Sequence, residues 1–328
     1  MRTRRGSSHV PSCSRARSPP VILCVCLNPA VDTTYVVPDL TYGATHRVDV
    51  AGRRAGGKAL NVARVLHQLG EQVLATGFAG GADGAAVLDD LAGSGIEAEL
   101  TAIEGQSRRT VTVYDGRDAT VFNENGPVVL DDEWQAFRSL YRRRLVDASV
   151  VVVAGSQPPG VPVDAYAQLT TLARAAGVPV LLDASGPELR AALAARPDVV
   201  KPNRLELAEL VGHQLEDLDD VLAACRTLVA QGAGAVVVSL GAEGLVAVTP
   251  DGSFRVQVPR PVVGNATGAG DALAAAVARG LRRGDDWPDR LASGVAVSVA
   301  SVTVDLAGAT DEELAAALLP SIAVESIR

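Results

Sequence analysis

Lysine is almost absent from this sequence. In 328 residues it occurs only as Lys58 and Lys201, and arginine supplies nearly all the other cationic side chains. Net positive charge is lacking too: the formal balance is −8, and no face is basic enough for the many phosphate contacts of a nucleic-acid binder, so no nucleic-acid partner is expected. No apolar run approaches the ~18 residues that a membrane-crossing helix requires, so no membrane partner is expected either. Cysteine is sparse, and Cys13, Cys24, Cys26 and Cys225 show neither metal-ligand nor paired spacing. That pattern points to a reducing, cytoplasmic setting. There is no internal repeat, and no linker is long enough to divide the chain into separate domains.

What is present is a chain 48% hydrophobic and 21% charged, enough to bury a large α/β core. Residues 1–20 hold five arginines and no acid; they have nothing to bury and read as a disordered basic tail. Residues 21–328 read as one domain. Its first segment, 21–27, is a continuous apolar run, the mark of a strand covered on both faces. Strand patterns follow at 73–79, 98–103, 149–154, 180–182, 199–200 and 235–240. Helical patterns alternate with them at 83–94, 131–145, 163–176, 187–195, 204–211 and 218–231. Repeated units of this length imply a three-layer α/β/α domain with a mainly parallel central sheet. The more polar segments 33–37 and 46–51 join 109–114 and 119–123, which flank an Asp115-Gly116 hairpin signal. Together they form a small second sheet with strands inside 33–54 and 107–125. A short antiparallel pair (244–248, 254–258) and helices over 269–282, 288–302 and 311–318 close the chain.

The stretch from Val263 to Leu273 holds Gly268-Ala269-Gly270-Asp271 and runs into a helix whose buried stripe is Leu273, Ala276, Val277, Gly280 and Leu281. Small residues let backbone approach a ligand, and the free N–H groups of a helix start form an anion site strengthened by the helix dipole. A carboxylate in that turn suits general-base work on a hydroxyl while the adjacent N–H groups hold the phosphoryl group in transfer. Taken alone, the same residues also fit a glycine turn ahead of an ordinary acidic helix start.

A second glycine cluster, Ala55-Gly56-Gly57-Lys58-Ala59-Leu60-Asn61, opens another helix. Counted from Gly52 it is close to a P-loop, but Ala59 stands where Ser or Thr would hold Mg²⁺, and the strand before it is polar. It is not a P-loop; Gly56, Gly57, Lys58 and Asn61 suit a polar, anionic substrate instead. Further polar clusters fall at strand ends: 155–160 with Ser156, 183–186, and 201–206 with Lys201. Asn203 and Glu206, three apart at a helix start, can both face a hydrated Mg²⁺ beside a triphosphate, or can simply form a capping box. Ser239 to Gly244, with Gly241 between, can border a nucleotide or be a tight turn.

Taken together, Gly56-Gly57-Lys58 with Asn61 and Gly268-Ala269-Gly270-Asp271 resemble the two signatures of the ribokinase-like (PfkB-type) carbohydrate kinases. The segments 27–32, 156–162 and 201–203 and the Asn265 start of the last motif are similar to the 1-phosphofructokinase and tagatose-6-phosphate kinase branch. The resemblance implies a ribokinase-like fold, Asp271 as base, and an anion hole of the Ala269, Gly270 and Asp271 N–H groups behind Gly268. It implies Asp32, Gly56, Gly57, Lys58, Asn61 and Ser156 as sugar-phosphate ligands, with Arg109 on the existing phosphate and Arg108 as the fallback. Lys201, Asn203, Ser239, Gly241, Gly244 and Thr267 would bind ATP, with Asn203 and Glu206 ordering Mg²⁺ through water. The small sheet would be a lid and the contact of a homodimer. Ala59, where the family usually has glycine, would add a methyl near the sugar, and Ala266-Thr267 also depart from the commoner residues.

The expected activity is ATP-dependent phosphorylation of a ketohexose phosphate, with fructose 1-phosphate the leading substrate and tagatose 6-phosphate or fructose 6-phosphate the alternatives. A non-catalytic sensor on the same scaffold is the alternative of another class; it would have no use for Asp271. A dinucleotide-dependent oxidoreductase is excluded by position, because its glycine fingerprint belongs in the first βαβ unit.

Overall fold

The computed structural model describes residues 20–116, 119–258, 262, 264–304 and 306–327. The expected tail, save Pro20, and Val263 lie outside the described residues. The chain opens with β1 (Val21–Cys26), β2 (Ala30–Val36), β3 (Val50–Gly56), α1 (Lys58–Gln68), β4 (Val73–Ala79), α2 (Gly81–Gly93) and β5 (Glu97–Ala102). It continues with β6 (Arg108–Tyr114), β7 (Ala119–Asn123), α3 (Asp131–Arg144), β8 (Ala148–Ala154), α4 (Ala165–Ala175), β9 (Val180–Asp183), α5 (Gly186–Leu193) and β10 (Val199–Val200). Then come α6 (Arg204–Val211), α7 (Leu218–Gln231), β11 (Val236–Ser239), β12 (Leu245–Thr249), β13 (Gly252–Val256), α8 (Ala269–Arg283), α9 (Trp287–Val302), α10 (Glu312–Leu318) and β14 (Val324–Ile327).

The apolar strands assemble into one ten-stranded sheet in the order β14-β13-β12-β11-β10-β9-β8-β1-β4-β5. Pairing is parallel from β11 to β5 and antiparallel from β11 to β14. β1 shows why its apolar run is unbroken. Ile22, Cys24 and Cys26 enter a core with α1, α2, α8 and α9, while Leu23, Val25 and Leu27 enter the opposite core with α3 to α7. Helices therefore cover both faces, as the alternation implies. Among the described residues no helix is long and apolar enough to cross a membrane.

The polar strands form a separate four-stranded sheet in the order β3-β2-β6-β7. Here the sequence expectation is corrected: the second strand is β3 at Val50–Gly56, not 46–51. The β2–β3 register pairs Tyr35 with Val50 and Ala30 with Gly56, so the ladder runs up to the glycines themselves. Arg53 and Arg54 interrupt the apolar alternation that would have marked its full extent. The edge strand β14 was not expected; it is a four-residue strand closing against β13 by pairs such as Val256 with Val324. Such a short segment carries too little alternation to be read locally.

α8 is buried on nearly every side because α1, α9 and the sheet enclose it. Alanines let α9 come close, and at Gly280 an added Cβ would lie 2.5 Å from Arg290 Cγ. The far end of α8 is tied down by Glu71, a buried carboxylate beyond α1 that Arg279, Arg282 and Arg283 surround. Glu71→Gln removes the counter-charge from three guanidinium groups. We expect a loss of about 2 kcal/mol in stability, read from urea unfolding at unchanged m-value.

Candidate active site

The polar clusters meet at the C-terminal edge of the parallel strands, where the following helices turn their N-termini toward a common crevice. β9 ends at Asp183, whose carboxylate is 1% exposed and lies 3.1 Å from Lys58 Nζ at the start of α1 and 3.1 Å from Lys201 Nζ beyond β10. Lys58 Nζ also lies 3.2 Å from Glu206 Oε1 on α6. The two lysines of the chain thus share one counter-ion. Burial pushes the Asp183 carboxyl up, but Lys201 and Lys58 more than offset it and hold it below the ordinary carboxylate range. Burial likewise opposes the Lys58 charge, yet Asp183 and Glu206 keep that ammonium above its ordinary value.

Gly268 caps α8 in the left-handed region at φ 89°, and a Cβ there would come 2.8 Å from Ala307 Cβ, so only glycine fits. The Thr267 N–H donates to Asn265 Oδ1 at 3.0 Å and sets the turn before it. The expected anion hole needs one correction. The Ala269 N–H is taken by the Ala266 carbonyl at 3.2 Å, whereas the Gly270 and Asp271 N–H groups have no carbonyl partner among the described residues. Lys201 stands at the same end, 3.4 Å from where a Cβ on Gly270 would be. Open amides, a helix dipole and an ammonium form a cradle that fits phosphoryl oxygens.

Asp271, 6% exposed, accepts from Asn61 Nδ2 at 2.8 Å. Burial first, and the Asp183 charge second, push its pKa up to about 7, against the opposing pull of Asn61, Lys201 and Lys58. A carboxylate so poised takes a proton efficiently near neutral pH.

Beside Lys58 lies a cavity of about 480 Å³ lined by Gly57, Lys58, Arg108, Ser156, Ser185 and Glu206, among others. Ser156 Oγ accepts from Asn28 Nδ2 at 3.1 Å. Arg108 donates from Nε to the Asn28 carbonyl at 3.1 Å and from Nη1 to Thr110 Oγ1 and the Glu124 carbonyl, both at 3.4 Å. Lys58 is matched by carboxylates; Arg108 has only neutral acceptors among the described residues. A neighbouring hollow of about 550 Å³ shares Arg108 but has neither lysine; Asp271, Asp32, Asn61 and Lys201 line neither of the two, Asp271 and Lys201 lying instead at the start of α8.

Arg109, the residue expected on the substrate phosphate, is not in this cavity. Its Nε donates to Asp83 Oδ2 on α2 at 2.7 Å. Strand side chains alternate, and the β2–β6 register sets Thr110 beside Asp32, so Arg108 and Thr110 share the Asp32 face while Arg109 points the other way. The Asp32 carboxylate lies over Gly56, where a Cβ would come within 1.8 Å of Oδ2. Burial raises the Asp32 carboxyl, with the Thr110 hydroxyl and the charges of Arg108, Arg54 and Arg64 pulling against it. Ala59 is fully buried in the core, so its methyl does not enter the cavity.

Asn203 and Glu206 do form the capping box: the Glu206 N–H donates to Asn203 Oδ1 at 2.9 Å and the Asn203 N–H to Glu206 Oε2 at 2.8 Å. Glu206 still turns its other oxygen to Lys58, so structural and site roles coexist. Ser239 bridges Asn203, and the Leu240 N–H donates to the Gly244 carbonyl at 2.8 Å around the turn through Gly241. No group of three or more His, Cys, Asp or Glu among the described residues could cage a metal ion. Asn203 and Glu206 offer amide and carboxylate oxygens, the hard donors that suit Mg²⁺. Asp183 was noted in the sequence only as a member of a strand-end cluster; its spacing from the lysines carries no local signal.

Asp271 also makes a stability prediction. Its folded pKa lies above the unfolded value, so the folded state holds a proton that the unfolded chain releases, and stability is lost as pH rises between the two values. Asp271→Asn keeps the Asn61 contact and removes the buried charge. Thermal melts should show the variant more stable than wild type above pH 7, with the gap closing toward pH 4; a constant gap would contradict the burial argument.

A model described as pfkB family carbohydrate kinase matches residues 23–314. Escherichia coli phosphofructokinase-2 in complex with fructose-6-phosphate is 28% identical with a TM-score of 0.83, covering 92% of this chain and 99% of that one. A possible 1-phosphofructokinase from Thermotoga maritima is 26% identical with a TM-score of 0.83, covering 94% and 100%. Arabidopsis thaliana ribokinase, at 21% identity and a TM-score of 0.75 over 92% and 99%, shares the ribokinase-like fold. The chain belongs to the pfkB family of carbohydrate kinases and is an ATP-dependent sugar kinase.

Proposed function

We propose that this kinase phosphorylates a primary hydroxyl of a ketohexose phosphate, with fructose 1-phosphate, yielding fructose 1,6-bisphosphate, as the leading substrate. The observation that carries this reading is Arg108: a partly buried guanidinium in the cavity wall whose hydrogen bonds go to two carbonyls and a hydroxyl, with no carboxylate among the described residues. Asp32 on the same face shares the charge of Arg108 at a distance, but none of that arginine's N–H donors reaches a carboxylate among the described residues; a phosphate would complete that fork of donors, which a neutral sugar would not. Arg108 thus takes the role first given to Arg109, with Lys58 and Ser156 beside it. Asp32, Gly56, Gly57 and Asn61 would meet the sugar between that phosphate and Asp271.

In the transfer, the sugar hydroxyl loses its proton to Asp271 as its oxygen bonds the γ-phosphorus, and the β–γ bridging bond breaks to release ADP. The Gly270 and Asp271 amides, with Lys201, would hold the γ-phosphoryl oxygens. Ser239, Gly241, Gly244 and Thr267 would border the nucleotide. Asn203 and Glu206 would hold hydrated Mg²⁺, which neutralises phosphate charge when bound. The lid exposes Val50, Val121 and Phe122, which supports a homodimer formed through it.

A coupled ADP-release assay over fructose 1-phosphate, fructose 6-phosphate, tagatose 6-phosphate, ribose and adenosine tests the substrate. Fructose 1-phosphate should give the highest kcat/KM; faster turnover of ribose or adenosine than of every sugar phosphate would sink the phosphate argument. Asp271→Asn should lose at least ~10³-fold in kcat while ATP binding persists. Arg108→Met should raise KM for the sugar phosphate far more than Arg109→Met.

A further inference from the structure

The displacement of Arg109 from the cavity exposes a second use for the arginine pairs of the lid. Both β3 and β6 carry adjacent arginines, Arg53-Arg54 and Arg108-Arg109. On β6, Arg108 faces Asp32 and the cavity, and Arg109 faces away. On β3, Arg54 pairs across the ladder with Asp32, which puts Arg53 on the outer side. Both outer members converge on one residue outside the lid, Asp83 in the first turn of α2. Arg53 Nη2 lies 3.3 Å from Asp83 Oδ1, and Arg109 Nε lies 2.7 Å from Oδ2.

The Asp83 side chain is 3% exposed although both arginine side chains that reach it are more than half exposed. The same carboxylate accepts from Gln106 Nε2 at 2.6 Å, and Gln106 Oε1 accepts from the Ala82 N–H at 3.2 Å. One step on, the Ser107 N–H donates to the Gly80 carbonyl at 2.9 Å and the Gly80 N–H to Ser107 Oγ at 3.0 Å. The start of α2 is therefore laced to the two residues that lead into β6, and Asp83 carries that attachment to β3 on the other side of β2. Burial would raise the Asp83 carboxyl, but Arg109 and Gln106 hold it below its ordinary range, so it stays an anion.

We propose that Asp83 is a positioning residue for the transfer reaction: a latch through which α2 sets the angle of the lid, so that Asp32 and Arg108 on its inner face meet the sugar phosphate. It touches no substrate. It acts through strands in which adjacent side chains point to opposite faces, so a pull on Arg53 and Arg109 is a placement of Arg54 and Arg108. A lid set at the wrong angle would weaken sugar binding and admit water to the γ-phosphate, while leaving the Lys201 and Gly270 side intact.

The test uses Asp83→Asn and, separately, the double variant Arg53→Met/Arg109→Met, which cuts the two arginine links while leaving α2 and the Gln106 bond unchanged. Each is assayed with whichever panel sugar the wild type turns over fastest, so an error in substrate identity does not reach this test. Both variants should raise the sugar KM by roughly tenfold or more with ATP KM within about twofold. They should also release more ADP per sugar phosphate formed than wild type. Arg109→Lys, which keeps a donor, should recover some of the coupling. If the double variant folds with wild-type sugar KM and wild-type coupling, the latch is wrong. An Asp83→Asn variant that merely melts earlier, at unchanged coupling, would also overturn it.

Discussion

The Asp183 carboxylate sits beneath the surface at the end of β9 with an ammonium on each oxygen, and the electrostatics of the whole crevice follow from that sharing. Without it, Lys58 and Lys201 would face each other across a site from which much of the water has been removed, and such a repulsion is expensive. With it, Lys58 is fixed toward the cavity lined by Arg108 and Ser156, and Lys201 toward the first turn of α8. The same negative charge helps lift the Asp271 pKa, after burial itself. One buried acid therefore pairs with two cations and helps to make another acid basic.

Topology makes this sharing possible. Residues 58, 183, 201 and 271 are far apart in the chain, but each lies at or just beyond the C-terminal edge of the sheet or at the N-terminus of a helix packed on it. Parallel pairing forces all the βα connections to that edge, so chemistry can be assembled there from distant segments. The lid lies across the same edge, and its root contributes Gly56 and Gly57, where β3 gives way to α1.

Much of this was legible in the sequence because it rests on short-range rules. The apolar run of β1 announced a strand buried on both faces, and Gly268 with Asp271 announced a helix start with a purpose. What was not legible depends on register. Whether Arg108 or Arg109 faces the cavity is a question of phase along β6, settled only by the pairing of Thr110 with Asp32. The true extent of β3 was hidden for a similar reason, since Arg53 and Arg54 break the apolar alternation until one sees what each faces. Asn203 and Glu206 could not be divided between cap and ligand from spacing alone, and the structure shows that Glu206 serves the cap with one oxygen and Lys58 with the other. The hydrogen bond that takes the Ala269 amide out of the anion hole depends on a turn whose geometry no propensity encodes.

The scarcity of lysine acquires a practical meaning once both copies are located. Lys201 is nearly sealed and Lys58 is only partly open, and both are bound to Asp183. Primary amines on side chains are therefore confined to the crevice. Acylating reagents, aldehyde fixatives and amine-coupled sensor surfaces, which on most proteins scatter over a dozen sites, have here no side-chain target outside that crevice. Attachment of this protein to a solid support calls for another handle.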